Sequence, residues 1–123
     1  MNIYTKLNKT LAKIDGVRPQ NKKKRKRSKV RELERKRYSI LTDDLSVCFK
    51  CKRPKNDLHE IYEGKNRQNS MIHGFVIPLC RECHFWIHHD IQMNEYYKQM
   101  CQKKFEENHT RDEFMDIIHR NYL

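Results

Sequence analysis

The spacing of apolar and polar positions predicts helices toward both ends of the chain. Apolar residues recur every three or four positions over residues 3–14 and 93–105, as they do on one face of an amphipathic helix. A basic helix is also expected from residue 29 to about residue 41, with Val30, Leu33, Arg37 and Ile40 near one side. A further helix is expected after Thr110, because Thr110 and Glu113 have the spacing of a capping box. The two ends of the chain are therefore predicted to be mainly helical.

The middle of the chain has a different pattern, with two short extended segments and a polar stretch between them. Residues 57–63 and 75–79 favour strands, and residues 64–74 between them favour a loop. Residues 81–90 then favour a short helix. Three apolar residues of this helix are expected in the core: Phe85, Trp86 and Ile87. Strands and helices in this order predict a small α+β domain.

The positive charge is concentrated on the N-terminal side of the chain. The 123 residues carry a formal net charge of +11. Residues 22–37 hold eleven basic and two acidic residues, a net charge of +9, whereas residues 38–123 carry a net charge of −1. Such a basic run predicts contact with the phosphates of a nucleic acid. A solvated tail and a nuclear localisation run are the alternative interpretations.

The sequence predicts neither a membrane span nor a secretory signal. No stretch approaches 18 consecutive apolar residues, and residues 1–15 lack a continuous apolar segment. We therefore expect an intracellular, cytoplasmic protein with no membrane partner. Structural disulfides are rare in that compartment, so the five cysteines favour metal ligation.

Four of the cysteines form two C-x2-C pairs, Cys48 with Cys51 and Cys80 with Cys83. A C-x2-C turn directs two sulfurs at one ion, and four thiolates close a tetrahedral zinc site that is structural. In a chain this small, the zinc would supply much of the folding free energy. A redox dithiol pair would need a thioredoxin-like βαβ pattern, which the chain lacks. The fifth cysteine, Cys101, lies on an apolar helical stripe and is expected in the core.

Three of the seven histidines occupy positions that indicate a second metal site. His84 directly follows the second cysteine pair and His88 is four residues further on, so both rings project from one face of the predicted helix. His89 is the alternative ligand if the helical register differs. His59 lies in the first strand, where side chains alternate, so His59 and Glu60 are on different faces of the strand. The alternation alone does not indicate which of the two meets the metal. An open site made by His59, His84 and His88 is therefore predicted.

The order of these motifs resembles that of the HNH endonucleases, a family with a ββα-metal fold and a zinc knuckle. The matching segments are TDDL-x-V-C-x2-C, HEI-x-x-G-x-NR-x-x-S and PLC-x2-CH, at residues 42–51, 59–70 and 78–84, followed by a closing segment at residues 114–122. The chain is most similar to small phage and prophage members of the family, and the resemblance covers residues 38–123.

The resemblance implies an architecture for the whole chain. It implies a ββα-metal HNH core that is stapled by the four-cysteine zinc site. A basic, helical and flexible nucleic-acid-binding arm would occupy residues 1–41. The nuclease domain, with its C-terminal helices, would occupy residues 42–123.

The resemblance also implies roles for individual residues. His59 falls on a metal-binding position of the family, and Glu60 falls on the position of the general-base histidine. His84 and His88 fall on further ligand positions. A carboxylate at the base position departs from the family pattern and leaves three interpretations open: Glu60 as the base, His59 as the base with the metal held by the helix alone, or a degenerate site that only binds. Arg67, in the segment after the first strand, is implied to clamp a phosphate.

These features favour a metal-dependent HNH endonuclease that hydrolyses DNA phosphodiester bonds. It would nick DNA with low sequence specificity, because phosphate contacts position a protein without specifying a sequence. Its cofactors would be a structural Zn2+ and one catalytic divalent cation such as Mg2+, Mn2+ or Ni2+. Residues 22–37 would contact the DNA backbone, and a homodimer would supply two sites for a double-strand break. The alternatives are a non-catalytic zinc-stabilised nucleic-acid-binding accessory protein and a zinc-bearing protein-interaction adaptor.

Overall fold

The computed structural model describes residues 28–123, of which Leu33–Leu123 pack as one compact unit. Residues 28–35 are helical and are called α1; the helix ends there rather than at residue 41, where the sequence placed its end. The expected N-terminal helix and the basic residues 22–27 lie outside the described residues. The boundary between an arm at residues 1–41 and a domain at residues 42–123 therefore stays a prediction.

The remaining elements are two antiparallel strands and a series of helices, as in the predicted small α+β domain. Their bounds are β1 Asp57–Glu60, a 3-10 helix Gly64–Asn66, α2 Arg67–His73, β2 Val76–Leu79, α3 Arg81–His89, α4 Ile91–Phe105 and α5 Arg111–Ile118. Across residues 28–123, no helix combines the length and the apolar character that a membrane span requires.

The two strands pair so that a histidine of β1 points into the protein. His59 lies opposite Ile77 of β2, and only 2 % of its surface is exposed. Side chains alternate along a strand, so Glu60 points to the other side of β1. The pairing continues past β1, where the Ile61 N–H donates to the Phe75 carbonyl at 2.8 Å. His59 is therefore fixed in a paired strand with its ring buried.

The polar segment between the strands, expected as a loop, is helical. Gly64–Asn66 forms a 3-10 turn and Arg67–His73 forms α2. Only Ser70 and Met71 of α2 are buried, so the sequence shows no apolar stripe of ordinary width. The Ser70 hydroxyl donates to the Tyr62 carbonyl at 2.8 Å and accepts from the Tyr62 N–H at 3.2 Å. Ser70 thus occupies a core position with its hydrogen bonds made. The loop prediction is wrong because it treated this polar segment as having no buried side.

Aromatic rings form the centre of the core. Tyr62 meets Phe75 and Phe114 edge to face at centroid distances of 5.4 Å. Cys101 is also fully buried, as its place on an apolar stripe predicts, and burial raises the pKa of its thiol to about 12. The buried cluster comprises Cys48, Ile61, Tyr62, Phe75, Ile77, Leu79, Cys80, Cys83, Ile87, Tyr97, Cys101, Phe105, Phe114 and Ile118.

Three helices, α3, α4 and α5, begin at a residue whose side chain accepts a hydrogen bond from a free N–H group of the first turn. The Thr110 hydroxyl accepts from the Glu113 N–H, and a Glu113 carboxylate oxygen accepts from the Thr110 N–H, both at 3.1 Å. This is the predicted capping box, and it begins α5. At the start of α3, the Cys80 sulfur accepts from the Cys83 N–H at 3.5 Å. The cap of α3 is therefore one of the predicted zinc ligands.

The buried face of α3 is narrower than the sequence analysis predicts. Ile87 is buried, but Phe85 and Trp86 are 65 % and 53 % exposed. Successive helical residues turn by about 100°, so three neighbours cannot all face one core. Cys83 and Ile87 occupy the buried face of α3. The expectation of a core position is therefore wrong for Phe85 and Trp86 and correct for Ile87.

A substitution at Gly74 tests how closely Tyr38, in the segment after α1, packs against the end of α2. Gly74 ends α2 with a φ of 75°, and a Cβ atom there would collide with Cε2 of Tyr38. Gly64 has a similar φ of 65° but open space around that position. We predict that Gly74→Ala lowers the free energy of unfolding by about 2–4 kcal/mol, through left-handed strain and displacement of the Tyr38 ring.

The matched variant Gly64→Ala carries the backbone strain without the collision. It is expected to lose only about 1–2 kcal/mol. Urea unfolding of both variants measures the difference, and equal losses would show that the Tyr38 ring does not pack closely on this turn.

Candidate functional site

The structure brings the four predicted zinc ligands together. Cys48 and Cys51 lie on a knuckle, defined here as residues 47–54, and Cys80 and Cys83 lie at the start of α3; their sulfurs are all within 4.8 Å of one another. The Cys51 and Cys80 sulfurs are 3.6 Å apart. Two sulfurs bound about 2.3 Å from one tetrahedral ion lie roughly 3.8 Å apart, and a disulfide needs about 2.05 Å. The cluster therefore suits a structural zinc.

Backbone hydrogen bonds close the knuckle and attach it to β2. The Cys48 N–H donates to the Arg53 carbonyl at 2.7 Å, and the Lys52 N–H donates to the Cys48 carbonyl at 3.0 Å. Lys52 has a φ of 67°, the left-handed conformation that allows the chain to reverse. The Phe49 N–H donates to the Pro78 carbonyl at 2.7 Å. The first cysteine pair is thereby held next to the strand that leads into the second pair.

The surroundings of the cluster shift the pKa values of two of its thiols in opposite directions. The Arg53 guanidinium donates to the Cys51 sulfur at 3.3 Å and lowers the pKa of that thiol to about 6. Burial raises the pKa of Cys83, so this residue needs a bound cation to be a thiolate at neutral pH. Arg53 also pairs with Glu82 at 3.0 Å, which connects the knuckle to α3. Metal binding at this cluster therefore releases at least the Cys83 proton.

The structure also brings His59, His84 and His88 together. One ring nitrogen of each lies within 4.8 Å of the other two, and the Nε2 atoms of His84 and His88 are 3.1 Å apart. Nitrogens bound about 2.1 Å from one ion, at angles of roughly 90–109°, lie about 3.0–3.4 Å apart, so the distance between His84 and His88 suits a shared metal. The alternative ligand His89 lies outside this triad, with its Nδ1 at 2.8 Å from the Phe85 carbonyl.

The triad is closed toward the protein and open toward solvent. His59 is 2 % exposed, the His84 side chain is 26 % exposed, and His88 lies at the surface. Burial, together with the charges of His84 and His88, lowers the pKa of His59 to about 3. Its ring is therefore neutral, which is the form that binds metals. Three protein ligands with one open side are typical of catalytic rather than structural metal sites.

Asp57 contacts the triad, and the sequence analysis did not single it out. Its Oδ2 lies 3.1 Å from the Nδ1 of His84, and this bond holds the pKa of Asp57 below its usual value. Asp57 accepts the proton of Nδ1 and so leaves the Nε2 of His84 free to bind a cation. The alternation of side chains along a strand could have identified Asp57, because Asp57 lies two residues before His59 and therefore on the same face of β1.

Glu63 is a second carboxylate at the triad that the sequence analysis missed. Its Oε1 lies 3.7 Å from the Nε2 of His59 and accepts a hydrogen bond from the Asn94 side chain at 2.9 Å. The Lys98 ammonium lies 3.9 Å from its other oxygen. Glu63 follows the end of β1, where alternation no longer applies, and its partners come from α4. The sequence therefore contained no local signal for its position.

Glu60 and Arg67 lie on the other side of β1 from the triad. The Glu60 Oε1 accepts from the Arg37 guanidinium at 2.7 Å and is 3.5 Å from the Arg67 guanidinium. Arg67 also pairs with Glu34 at 3.3 Å. The structure thus gives both residues ion-pair partners and does not bring them to the three histidines. Their predicted roles, as general base and as phosphate clamp, stay predictions.

Comparisons of the chain with protein-family models, with curated proteins and with solved structures found no match in any of the three. The structure itself supports a small α+β domain with a four-cysteine cluster and a histidine triad, each of which could hold a metal. Membership of the HNH endonucleases therefore stays an inference from the motifs and from this geometry.

We predict that Cys48→Ser removes the structural zinc and the cooperative unfolding transition. Cys48 is fully buried and belongs to the four-cysteine cluster. Structural zinc sites contribute about 10–16 kcal/mol of binding free energy in zinc-finger peptides, so an incomplete ligand set is expected to unfold the domain. Elemental analysis after dialysis measures the zinc, and thermal unfolding followed by circular dichroism measures the transition.

Cys101→Ala is the matched control for this prediction. It also removes a buried sulfur, but Cys101 lies outside the cluster. It is expected to retain the zinc and to lose about 1 kcal/mol of stability. Zinc retained by Cys48→Ser at the wild-type level would show that the cluster does not bind the ion.

Proposed function

We propose that the protein is a metal-dependent endonuclease of the HNH type that hydrolyses DNA phosphodiester bonds. The observation that carries the proposal is the convergence of His59, from β1, with His84 and His88, from α3. The second cysteine pair of the cluster, Cys80 and Cys83, lies immediately before these two helix histidines in the chain. This arrangement fits the ββα-metal core that the motif resemblance implies, with a strand ligand and two helix ligands.

The triad is suited to one divalent cation such as Mg2+, Mn2+ or Ni2+. When bound, this ion would stabilise negative charge on the scissile phosphate and on the leaving oxygen. His59 would offer a neutral ring because its burial disfavours protonation. Asp57 would orient His84 by accepting the proton of its Nδ1. The exposed side of His88 leaves room for a phosphate to approach from solvent.

Glu63 is better placed than Glu60 to accept a proton from the attacking water. The Glu60 carboxylate is engaged by Arg37 and lies on the far face of β1. Glu63 lies on the side of the triad, with 36 % of its side chain exposed. His59 is a poor proton acceptor at neutral pH because its pKa is lowered to about 3. We therefore assign the general base to Glu63 and a stabilising ion pair to Glu60.

The distribution of charge supports DNA as the substrate. Residues 22–37 carry a net charge of +9, and residues 38–123 carry a net charge of −1. If about five or six of these positive charges met phosphates, binding would weaken with salt at a log–log slope of roughly −5 on duplex DNA. In the proposed enzyme the basic run would supply most of the affinity, while the nearly neutral body would supply the reacting groups.

We predict that the zinc-loaded chain nicks supercoiled plasmid in Mg2+, Mn2+ or Ni2+ and that His88→Ala slows nicking more than about 100-fold. Even the outer-shell partners of metal ligands contribute about 10- to 100-fold, and His88 is placed as a ligand. Because His88 lies at the surface, its removal is expected to leave the fold and the structural zinc intact. Conversion of supercoiled to open circular DNA on gels measures the rate.

His109→Ala is the control, because His109 is a half-exposed histidine that pairs with Glu113 rather than with the triad. It is expected to nick at the wild-type rate. Retarded DNA without nicking in any of the three metals would favour the zinc-stabilised binding protein instead.

We predict that Glu63→Gln and Glu60→Gln affect different quantities. Glu63→Gln is expected to lower kcat by about 10²–10⁴-fold, the usual contribution of a general base. Its loss of stability is expected to be smaller than that of Glu60→Gln, because the Lys98 contact of Glu63 is long, at 3.9 Å, and an amide oxygen at this position can still accept from Asn94. Glu60→Gln is expected to lower the free energy of unfolding by about 1–3 kcal/mol, because the part-buried Arg37 loses its charged partner. Nicking rates and urea unfolding of both variants measure these effects. If only Glu60→Gln lost nicking, the general base would be Glu60, as the family resemblance implies, and not Glu63.

A further inference from the structure

Phe85 is the most exposed of the large apolar side chains on α3, with 65 % of its surface accessible. Its ring stacks on the ring of His89, with a centroid distance of 4.1 Å and an interplanar angle of 22°. The Nδ1 of His89 lies 2.8 Å from the Phe85 carbonyl, so the helix itself fixes the His89 ring. Phe85 is therefore held in one orientation while most of its ring remains in contact with solvent.

Phe85 lies beside the open side of the triad. Residues three apart on a helix are separated by about 60° around the axis, with Cβ atoms about 5–6 Å apart. Phe85 and His88 have this relation, and His88 is the exposed member of the triad. A phosphate that reaches the triad from solvent would therefore bring its neighbouring base close to the Phe85 ring.

The surroundings of Phe85 contain cations rather than a continuous apolar surface. Arg81, one turn earlier, pairs with Asp57 at 3.4 Å and still has 76 % of its side chain exposed. On the next arc of the helix, the Lys50 ammonium lies 4.4 Å from the Trp86 ring centroid. The acidic Glu82 between these arcs pairs with Arg53 at 3.0 Å. Exposed rings among cations are typical of surfaces that bind unpaired nucleic-acid strands, with bases on the rings and phosphates on the cations.

We propose that Phe85, supported by His89, is a stacking platform for an unpaired DNA base next to the phosphate at the triad. The proposal rests on the proposed function and adds a substrate class to it. In a perfect duplex both faces of a base are stacked on neighbouring bases, whereas a base in a single strand, flap or mismatch has a free face. The platform therefore favours DNA with unpaired nucleotides over perfect duplex DNA.

The test measures binding rather than cleavage. The probes are a single-stranded DNA of about 12 nucleotides containing 2-aminopurine, whose fluorescence falls when the base stacks on an aromatic ring, and the same strand in a duplex. The zinc-loaded full chain is titrated at one fixed salt concentration without any added divalent cation. Phe85→Leu retains an apolar side chain without the ring, and Phe85→Tyr retains the ring. Tyr96→Leu is the control, because it removes an exposed ring that lies on α4 rather than on α3.

We expect Phe85→Leu to bind the single strand roughly tenfold more weakly and to lose the 2-aminopurine quenching, with duplex affinity within about twofold of wild type. Phe85→Tyr and Tyr96→Leu are expected to behave like wild type. Equal affinity of Phe85→Leu and wild type for the single strand would overturn the proposal, as would an equal loss for single strand and duplex. A Phe85→Leu change in sedimentation without DNA would also overturn it, because the ring would then join copies of the chain.

The outcomes separate this proposal from the nuclease. Plasmid nicking together with an absence of ring-dependent quenching would reject the platform and leave the nuclease standing. Ring-dependent quenching without nicking in any metal would retain the platform and reject the nuclease.

Discussion

The four-cysteine cluster is the constraint on which the position of α3 depends. Cys80 caps this helix and Cys83 lies in its first turn, and the cluster joins both to the knuckle. Hydrophobic burial contributes little to the placement, because only Cys83 and Ile87 of α3 are buried. A nine-residue helix is marginal in water without tertiary support. A cation that binds the cluster would therefore also fix His84, the residue that follows Cys83, and so order the histidine triad.

The strand β1 separates two groups of polar residues that have different roles. On one face, His59 and Asp57 meet the histidines of α3. On the other face, Glu60 is held by Arg37, the last residue of the basic run. The same four-residue strand therefore connects the site to the end of the basic run. The Glu60–Arg37 pair is mostly shielded from water, with 13 % and 19 % of the two side chains exposed, so salt screens it less than a surface pair.

Features that depend on local spacing could be predicted from the sequence, and features that depend on tertiary partners could not. The two C-x2-C turns, the helical spacing of His84 and His88, and the capping box at Thr110 are properties of short segments. By contrast, Arg37 lies 23 residues from Glu60, and no local pattern indicates that they pair. The helix α2 was missed for a similar reason, since the buried Ser70 is satisfied by Tyr62, a residue outside that helix.

The helix α3 shows how one short element can separate several tasks. Its arcs carry, in turn, the buried Cys83 and Ile87, the histidines of the triad, the stacked Phe85 and His89, and Trp86 beneath Lys50. Because each residue advances by about 100°, adjacent residues serve different arcs, and a change on one arc need not disturb the next. Phosphate contacts made by a basic run do not touch the base faces, so they cannot detect whether a base is stacked. In the proposed enzyme, that distinction would therefore come from the exposed arc that carries the Phe85 ring.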